Sequence, residues 1–317
     1  MPMLALRLDE QGARVAEMDA PELLPGTALV RVTLAGVCNT DLELVKGYMG
    51  FRGVLGHEFV GCVESGPREW MARRVVGEIK FACGRCATCE AGLARHCPTR
   101  QVMGIQGADG AIAERVRVPL ANLHAVPDAV SDARAVFTEP LAAAFEILEQ
   151  VPVARGMRCL VFGDGKLGLL VAQVLAVAGA RVHAVGRHPE KLALLARRGI
   201  ETSLAGDGAP ESCELVVEAT GSADGFRTAV AATLPRGTLV LKSTLAESPQ
   251  VDLAPLVIHE IRVVGSRCGP FAPALRALAN AAVDVLPLIS ARVPLARAEE
   301  ALTLAAAPGA LKVLIES

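Results

Sequence analysis

Cys83, Cys86, Cys89 and Cys97 stand in the spacing C-x2-C-x2-C-x7-C, close enough to bring four sulfurs onto one ion. Gly84, Gly92 and Pro98 punctuate the loop that carries them and let it turn back on itself. Four thiolates around zinc make a closed tetrahedron with no position left for a substrate, so the lobe 83–97 reads as a structural zinc site. A chance cluster of free thiols and an iron–sulfur cluster are the weaker alternatives that the spacing leaves open.

Gly163-Asp164-Gly165-Lys166-Leu167-Gly168 matches G-x-G-x-x-G, a pattern that is weak alone and gains force from its surroundings. An apolar strand, 159–162, precedes it and a helix, 166–178, follows. The amides of Gly163, Gly165, Lys166, Leu167 and Gly168 can then face a pyrophosphate at a helix N-terminus. The plainer alternative is a tight strand-to-helix turn without a ligand. About 20 residues further on, a dinucleotide fold normally places an acid on the ribose 2′-hydroxyl. Here the chain reads Val185-Gly186-Arg187-His188, with no carboxylate at that place. Gly186 removes the repulsion of a 2′-phosphate, and Arg187 with His188 supplies positive charge, so NADP(H) is favoured over NAD(H). Against this stands Arg187 as a merely solvated helix-start residue, with Lys191 on an exposed helix face.

A third set is scattered. Cys38 ends an apolar strand, His57 and Glu58 open another after Gly56, and Glu139 starts a helix after Thr138. Singly, these read as a buried thiol, a satisfied polar group and an acid on a helix dipole. Spacing does not join them.

The elements that must position these residues fall into two textures. Up to about residue 125 the chain alternates as short strands, among them 28–37, 57–63 and 113–118. From about residue 138, apolar strands alternate with amphipathic helices: 158–162, helix 166–178, 181–185, helix 189–198, then strands 215–218, 238–241 and 261–264. That rhythm predicts an α/β chain whose later part is a doubly wound parallel sheet, with the boundary near residue 150. The last strand, 311–315, lies outside it.

At 317 residues the chain exceeds the roughly 250–300 that one core supports, which favours two domains. With 52% hydrophobic and 21% charged residues it carries too little charge for a disordered chain. A net charge of −2 with scattered arginines gives nucleic acid no electrostatic footprint. The most apolar run, 167–180, is interrupted by Gln173 and is too short for a membrane span. The N-terminus alternates like a strand and lacks the basic start and apolar block of a secretory signal, so the expected location is the cytoplasm. Reducing conditions there suit clustered thiols as metal ligands; Cys62, Cys159, Cys213 and Cys268 read as small core residues.

Gly36-Val37-Cys38-Asn39-Thr40-Asp41, followed by Gly56-His57-Glu58-Phe59-Val60-Gly61, resembles the G-x-C-x-[ST]-D and G-H-E-x-x-G signatures of zinc-dependent medium-chain dehydrogenase/reductases. Thr138-Glu139-Pro140-Leu141-Ala142 is similar to the E-P-L segment of their polyol and threonine dehydrogenase branches, and Val217-Glu218-Ala219-Thr220-Gly221 to their E-x-T-G strand end. The resemblance covers essentially the whole chain and implies a GroES-like β-rich catalytic domain over 1–150, a Rossmann domain over 151–285 and a return to the first domain over 286–317. It places the active site in the cleft between the domains.

Carried over by position, Cys38 and His57 would bind a catalytic zinc, with Glu139 and Glu58 as a protein ligand and an alternating or outer carboxylate. Zinc would polarise the oxygen of an alcohol or carbonyl substrate, Thr40 would relay its proton, and Asp41 would orient His57. Thr220 would join Gly186, Arg187 and His188 around the cofactor. The implied inventory is one catalytic and one structural zinc, a nicotinamide dinucleotide and a homodimer or homotetramer.

Departures are also visible. The connection after Gly61 is shortened to 65–75, Glu43 replaces the histidine that continues many proton relays, and the chain is shorter than typical relatives. Tyr48, Met49 and Phe51 lie between the metal segments, where they could line a pocket or simply pack. A second reading is a dinucleotide-binding sensor that has lost turnover through its trimmed loops; the intact Cys38, Thr40, His57 and Glu139 argue against it. A zinc-independent quinone or enoyl reductase has no need of Cys38, His57 or the cysteine lobe and ranks last.

Overall fold

Period-two alternation in TALVRVTLAG produces strand Thr27–Gly36, which buries Ala28, Val30, Val32 and Leu34 and leaves Arg31 in solvent. The computed structural model describes residues 2–208, 210–243 and 250–317. Strand Thr27–Gly36 pairs antiparallel with Glu58–Ser65, with Arg115–Pro119 and with the distant strand Lys312–Glu316. Among the described residues these belong to a seven-stranded sheet in which Lys312–Glu316 lies between Thr27–Gly36 and Ile289–Pro294. The last strand therefore joins a sheet that the first 65 residues begin. The short strands Lys80–Phe81 and Gln101–Met103 pair antiparallel and close the base of the cysteine lobe.

The second sheet is parallel throughout its described strands, in the order Glu201–Leu204, Arg181–Gly186, Arg158–Phe162, Cys213–Glu218, Thr233–Leu241 and Arg262–Gly265. Strand order reverses beside Arg158–Phe162, which is where a doubly wound Rossmann sheet opens to a ligand. Helix Lys166–Val177 follows that strand and is buried along eight consecutive residues, Gly168 to Leu175. Gln173 inside it is satisfied by the backbone of Asp284, donating to its carbonyl at 3.1 Å and accepting its amide at 2.8 Å. Among the described residues no helix is long and apolar enough to cross a membrane.

The chain divides into two compact units, one holding residues up to Glu139 with Leu278–Asn280 and Leu288–Ser317, the other Pro140–Ala277 with Ala281–Pro287. The division falls in the first turn of helix Thr138–Gln150, earlier than the expected boundary near 150. Phe137 explains this: it is fully buried with Lys312 Nζ 5.9 Å from its ring, which ties the start of the helix to the first unit. Strand Glu201–Leu204 is not legible in the sequence, since its four residues carry no readable alternation.

Candidate functional site

In the first unit the sheet register does what spacing does not. Gly36 and Glu58 are directly opposed on neighbouring strands, and a side chain at Gly36 would collide with the Glu58 carboxylate. Two residues past Gly36, Cys38 caps helix Asn39–Val45, and its amide donates to Asp41 Oδ2 at 2.8 Å. Asp41 Oδ1 accepts the Gly56 amide at 3.2 Å, which sets the next residue, His57, beside it. As a result Cys38 Sγ, a ring nitrogen of His57 and a carboxylate oxygen of Glu58 all lie within 4.8 Å of one another.

The charges around this trio alternate. Glu58 Oε2 is paired with Lys312 Nζ, both groups being fully buried, and that ammonium also donates to the Val37 carbonyl at 3.3 Å. Glu58 Oε1 is buried without a hydrogen-bond partner, and so is His57 Nδ1, which stands 3.4 Å from Asp41 Oδ1 at ion-pair distance. Burial pulls the His57 pKa down, but the charges of Asp41 and Cys38 outweigh it and hold it well above the ordinary value. Burial likewise opposes ionisation of Asp41, yet His57 and the Cys38 amide bring its pKa below normal. Lys312 is penalised by burial and raised on balance by Glu58, Cys38 and Glu139.

These residues fit zinc. Sulfur, nitrogen and carboxylate oxygen are its usual donors, and a cation would satisfy the orphaned Glu58 Oε1. A dication would also take the place of the proton that His57 otherwise holds. Thr40 places Oγ1 3.8 Å from Cys38 Sγ. Glu139 is not one of the close trio; it is buried in the first turn of its helix, near enough to act on Lys312. Glu43 forms an exposed pair with Lys46 at 2.8 Å. Of the three pocket candidates, Tyr48 and Met49 are exposed, whereas Phe51 belongs to the core.

The cysteine lobe is assembled within its own loop. The sulfur separations Cys83–Cys89, Cys86–Cys89, Cys86–Cys97 and Cys83–Cys97 are 4.0, 3.5, 3.9 and 3.6 Å. Zinc–sulfur bonds of about 2.3 Å imply a tetrahedral edge of about 3.8 Å, so the quartet has the size of a tetrathiolate zinc site. The Cys83 amide donates to Cys97 Sγ at 3.5 Å and, with Thr99, lowers the Cys97 pKa to about 6. Burial and the Cys86 thiol push Cys89 up to about 12. Of the remaining cysteines, Cys159 and Cys213 are in the core, whereas Cys62 and Cys268 are only half-buried.

In the second unit the three glycines of the loop have three separate duties. Gly163, at φ +116°, lies where a Cβ would sit 2.5 Å from the Ala219 carbonyl. At Gly168 a Cβ would collide with the Gly163 carbonyl, so helix and strand approach here as glycine alone allows. Gly165 faces open space at the cap of helix Lys166–Val177, with Lys166 and Leu167 half-buried beside it. An open backbone at a helix N-terminus is a cradle that a Cβ would fill and a pyrophosphate fits. Gly168→Ala is expected to abolish the fluorescence enhancement of a reduced nicotinamide dinucleotide and to destabilise the protein by about 1–3 kcal/mol, because the contact is with backbone and cannot relax by a rotamer change. Unchanged nucleotide titration and melting would count against this assignment of the loop.

One expectation fails here. A carboxylate does stand at the end of strand Arg181–Gly186, supplied by Asp164 of the glycine loop. Its Oδ2 accepts the amides of Arg187 and His188, both at 2.6 Å, and meets His188 Nδ1 at 2.9 Å. His188 is therefore committed to Asp164, Arg187 is exposed, and Lys191 is buried instead of lying on an open helix face. Thr220 is exposed, but Glu218 Oε1 accepts both its amide and its hydroxyl at 2.6 Å. Sequence reasoning misses two residues, Lys312 and the carboxylate role of Asp164. A lysine opening the apolar strand KVLIE is the available signal for the first; none marks the second.

Residues 24–128 match the model of the alcohol dehydrogenase GroES-like domain, and residues 167–282 that of zinc-binding dehydrogenases. L-threonine 3-dehydrogenase of Streptomyces avermitilis is 29% identical, over 100% of this chain and 99% of its own. D-altritol 5-dehydrogenase of Agrobacterium fabrum is 30% identical, over 83% and 84%. Alcohol dehydrogenase TADH from Thermus sp. superimposes with a TM-score of 0.88 at 30% identity, covering 100% of this chain and 99% of its own. A protein of Sinorhizobium meliloti assigned as a zinc-binding dehydrogenase and solved with NADP bound gives 0.89 at 28% identity, covering 100% of both chains.

Proposed function

Since the chain belongs to the zinc-dependent medium-chain dehydrogenases, as an NAD(P)-dependent alcohol dehydrogenase-like oxidoreductase, we propose that it moves a hydride between an alcohol or polyol carbon, or the matching aldehyde or ketone, and NADP(H). The observation that carries this is the convergence of Cys38, His57 and Glu58 within 4.8 Å, with a buried carboxylate oxygen left unpartnered. Zinc bound there supplies the Lewis acidity that lowers the pKa of a substrate hydroxyl.

The chain's own residues do the rest. Cys38 and His57 hold the ion, Glu58 or Glu139 completes its protein ligands, and Asp41 fixes the imidazole through Nδ1. Thr40 Oγ1, 3.8 Å from Cys38 Sγ, accepts the substrate hydroxyl proton and passes it towards solvent. Cys83, Cys86, Cys89 and Cys97 hold a second, structural zinc. The amides at Gly163 to Gly168 take the pyrophosphate, with Thr220 and Gly186 beside the adenosine half and Arg187 meeting the 2′-phosphate. NADP bound to the Sinorhizobium meliloti relative supports that choice.

A panel of secondary alcohols, polyols and threonine, followed by nicotinamide absorbance with NADP and with NAD, tests the activity. Turnover that chelation abolishes and zinc restores is expected; no turnover on the panel or on the matching carbonyls with NADPH would favour the dinucleotide-binding sensor. The location is proposed as the cytoplasm, where reducing conditions keep clustered thiols available as metal ligands.

The chain is further proposed to form a homodimer, alone or within a homotetramer. Strand Arg262–Gly265 pairs on one side only among the described residues, with Thr233–Leu241, and helix Ala254–Ile258 beside it leaves Val257 76% and Ile258 72% exposed. Leu253 and Val263 extend this apolar edge. An unpaired strand edge flanked by exposed aliphatics is a ready surface for a second copy. Val257→Asp with Ile258→Asp should halve the mass seen by light scattering while leaving the zinc content unaffected; a monomeric wild type would remove the proposal.

A further inference from the structure

At the carboxyl end of strand Arg181–Gly186 the acid of a dinucleotide site is missing from the strand and present in the glycine loop. Asp164 occupies a loop position between two of the phosphate-facing glycines, with its side chain only 9% exposed. A Cβ built on Gly186 would lie 2.5 Å from Asp164 Cβ and 2.6 Å from Asp164 Oδ2. No side chain can therefore grow at 186 while Asp164 stays where it is.

We propose that Asp164 and Gly186 are one coupled pair that sets cofactor choice: Asp164 fills the space of the ribose-binding acid without doing that acid's work. The proposal rests on the NADP(H) reading above.

Three features carry it. An acid at the end of this strand serves NAD by accepting the ribose 2′-hydroxyl with an outward oxygen. Asp164 instead spends Oδ2 inward on the Arg187 amide, the His188 amide and the His188 ring. Burial pushes its pKa up, but those donors bring it below the ordinary value, so the turn holds Asp164 as the carboxylate. The turn it pins then leaves Arg187 exposed and outside any ion pair among the described residues. A phosphate placed there meets the Arg187 guanidinium, while Asp164 Oδ2 is already held by three donors. Asp164 is thus a positioning residue; it touches the turn that selects the cofactor.

The coupling predicts a specific pattern in binding, measured without turnover by fluorescence titration of NADPH and NADH alongside thermal melting. Arg187→Ala should weaken NADPH about tenfold and NADH much less. Gly186→Asp alone should lower the melting temperature and weaken both nucleotides, since two side chains would share one space. Asp164→Gly combined with Gly186→Asp should recover the melting temperature, tighten NADH, weaken NADPH and so shift their ratio about a hundredfold. Glycine is required at 164 because even an alanine Cβ would meet the new side chain.

If Gly186→Asp alone melts normally and switches preference as fully as the double variant, the two positions are independent and the proposal falls. It falls equally if the double variant keeps the wild-type ratio. A wild type that binds NADH as well as NADPH, with Arg187→Ala silent, would overturn the NADP(H) reading instead; the melting of Gly186→Asp against the double variant still decides the coupling.

Discussion

Cys38→Ala is expected to remove one of two zinc equivalents per chain and to cut turnover by about a thousandfold or more. Two separate donor clusters exist among the described residues, Cys38 with His57 and Glu58, and the cysteine quartet, and they share no residue. Loss of the thiolate leaves an imidazole that Asp41 and burial already govern and a carboxylate that Lys312 already holds, too weak a pair to retain the ion. The quartet keeps its own zinc, so the melting temperature should change little. Elemental analysis of purified wild type and variant checks this. A single zinc equivalent in both proteins, unaltered by the substitution, would leave only the structural lobe and favour the sensor.

Lys312→Met should destabilise the metal-free protein by about 3–5 kcal/mol, because it strands the Glu58 carboxylate in a fully buried position. Trp70 is the one tryptophan and lies in the first unit, so urea unfolding followed by its fluorescence reports the unit concerned. Adding Glu58→Gln should recover most of the loss, since the stranded charge disappears with it. A loss below about 1 kcal/mol would mean that Glu58 finds another partner. The sign of the pH dependence follows from the raised pKa of Lys312. Its contribution is fully present below the ordinary lysine value of 10.5 and is lost only as pH climbs through the higher one in the folded state, so neutral pH leaves the pair intact.

Features that are local in the chain can be read from residue order alone. The quartet lies within 15 residues, and its sulfurs meet because one short loop carries them all. The glycine loop is equally local, lying between the strand that precedes it and the helix that follows. The Cys38 cluster is legible only through resemblance, because the register between Gly36 and Glu58 is a sheet property that no periodicity reveals. Lys312 lies 254 positions from Glu58, and a lysine in a terminal strand reads as a solvated edge until that strand is seen inside the sheet. Asp164 gives no signal of its role because its partners stand 23 and 24 residues away, across a strand whose end looks bare.

The insertion of Lys312–Glu316 between Thr27–Gly36 and Ile289–Pro294 has a consequence for biosynthesis. As the polypeptide leaves the ribosome, the parallel sheet can close on itself first, since its strands all precede residue 266. The earlier sheet cannot. Strand Lys312–Glu316 is translated after the other strands of that sheet, so Cys38, His57 and Glu58 emerge early and would wait in an open-edged precursor until Lys312 arrives to balance Glu58. A nascent chain stalled before residue 312 would thus expose a sticky β edge next to unmetallated thiols, which is the form that chaperones and zinc-delivery routes would meet.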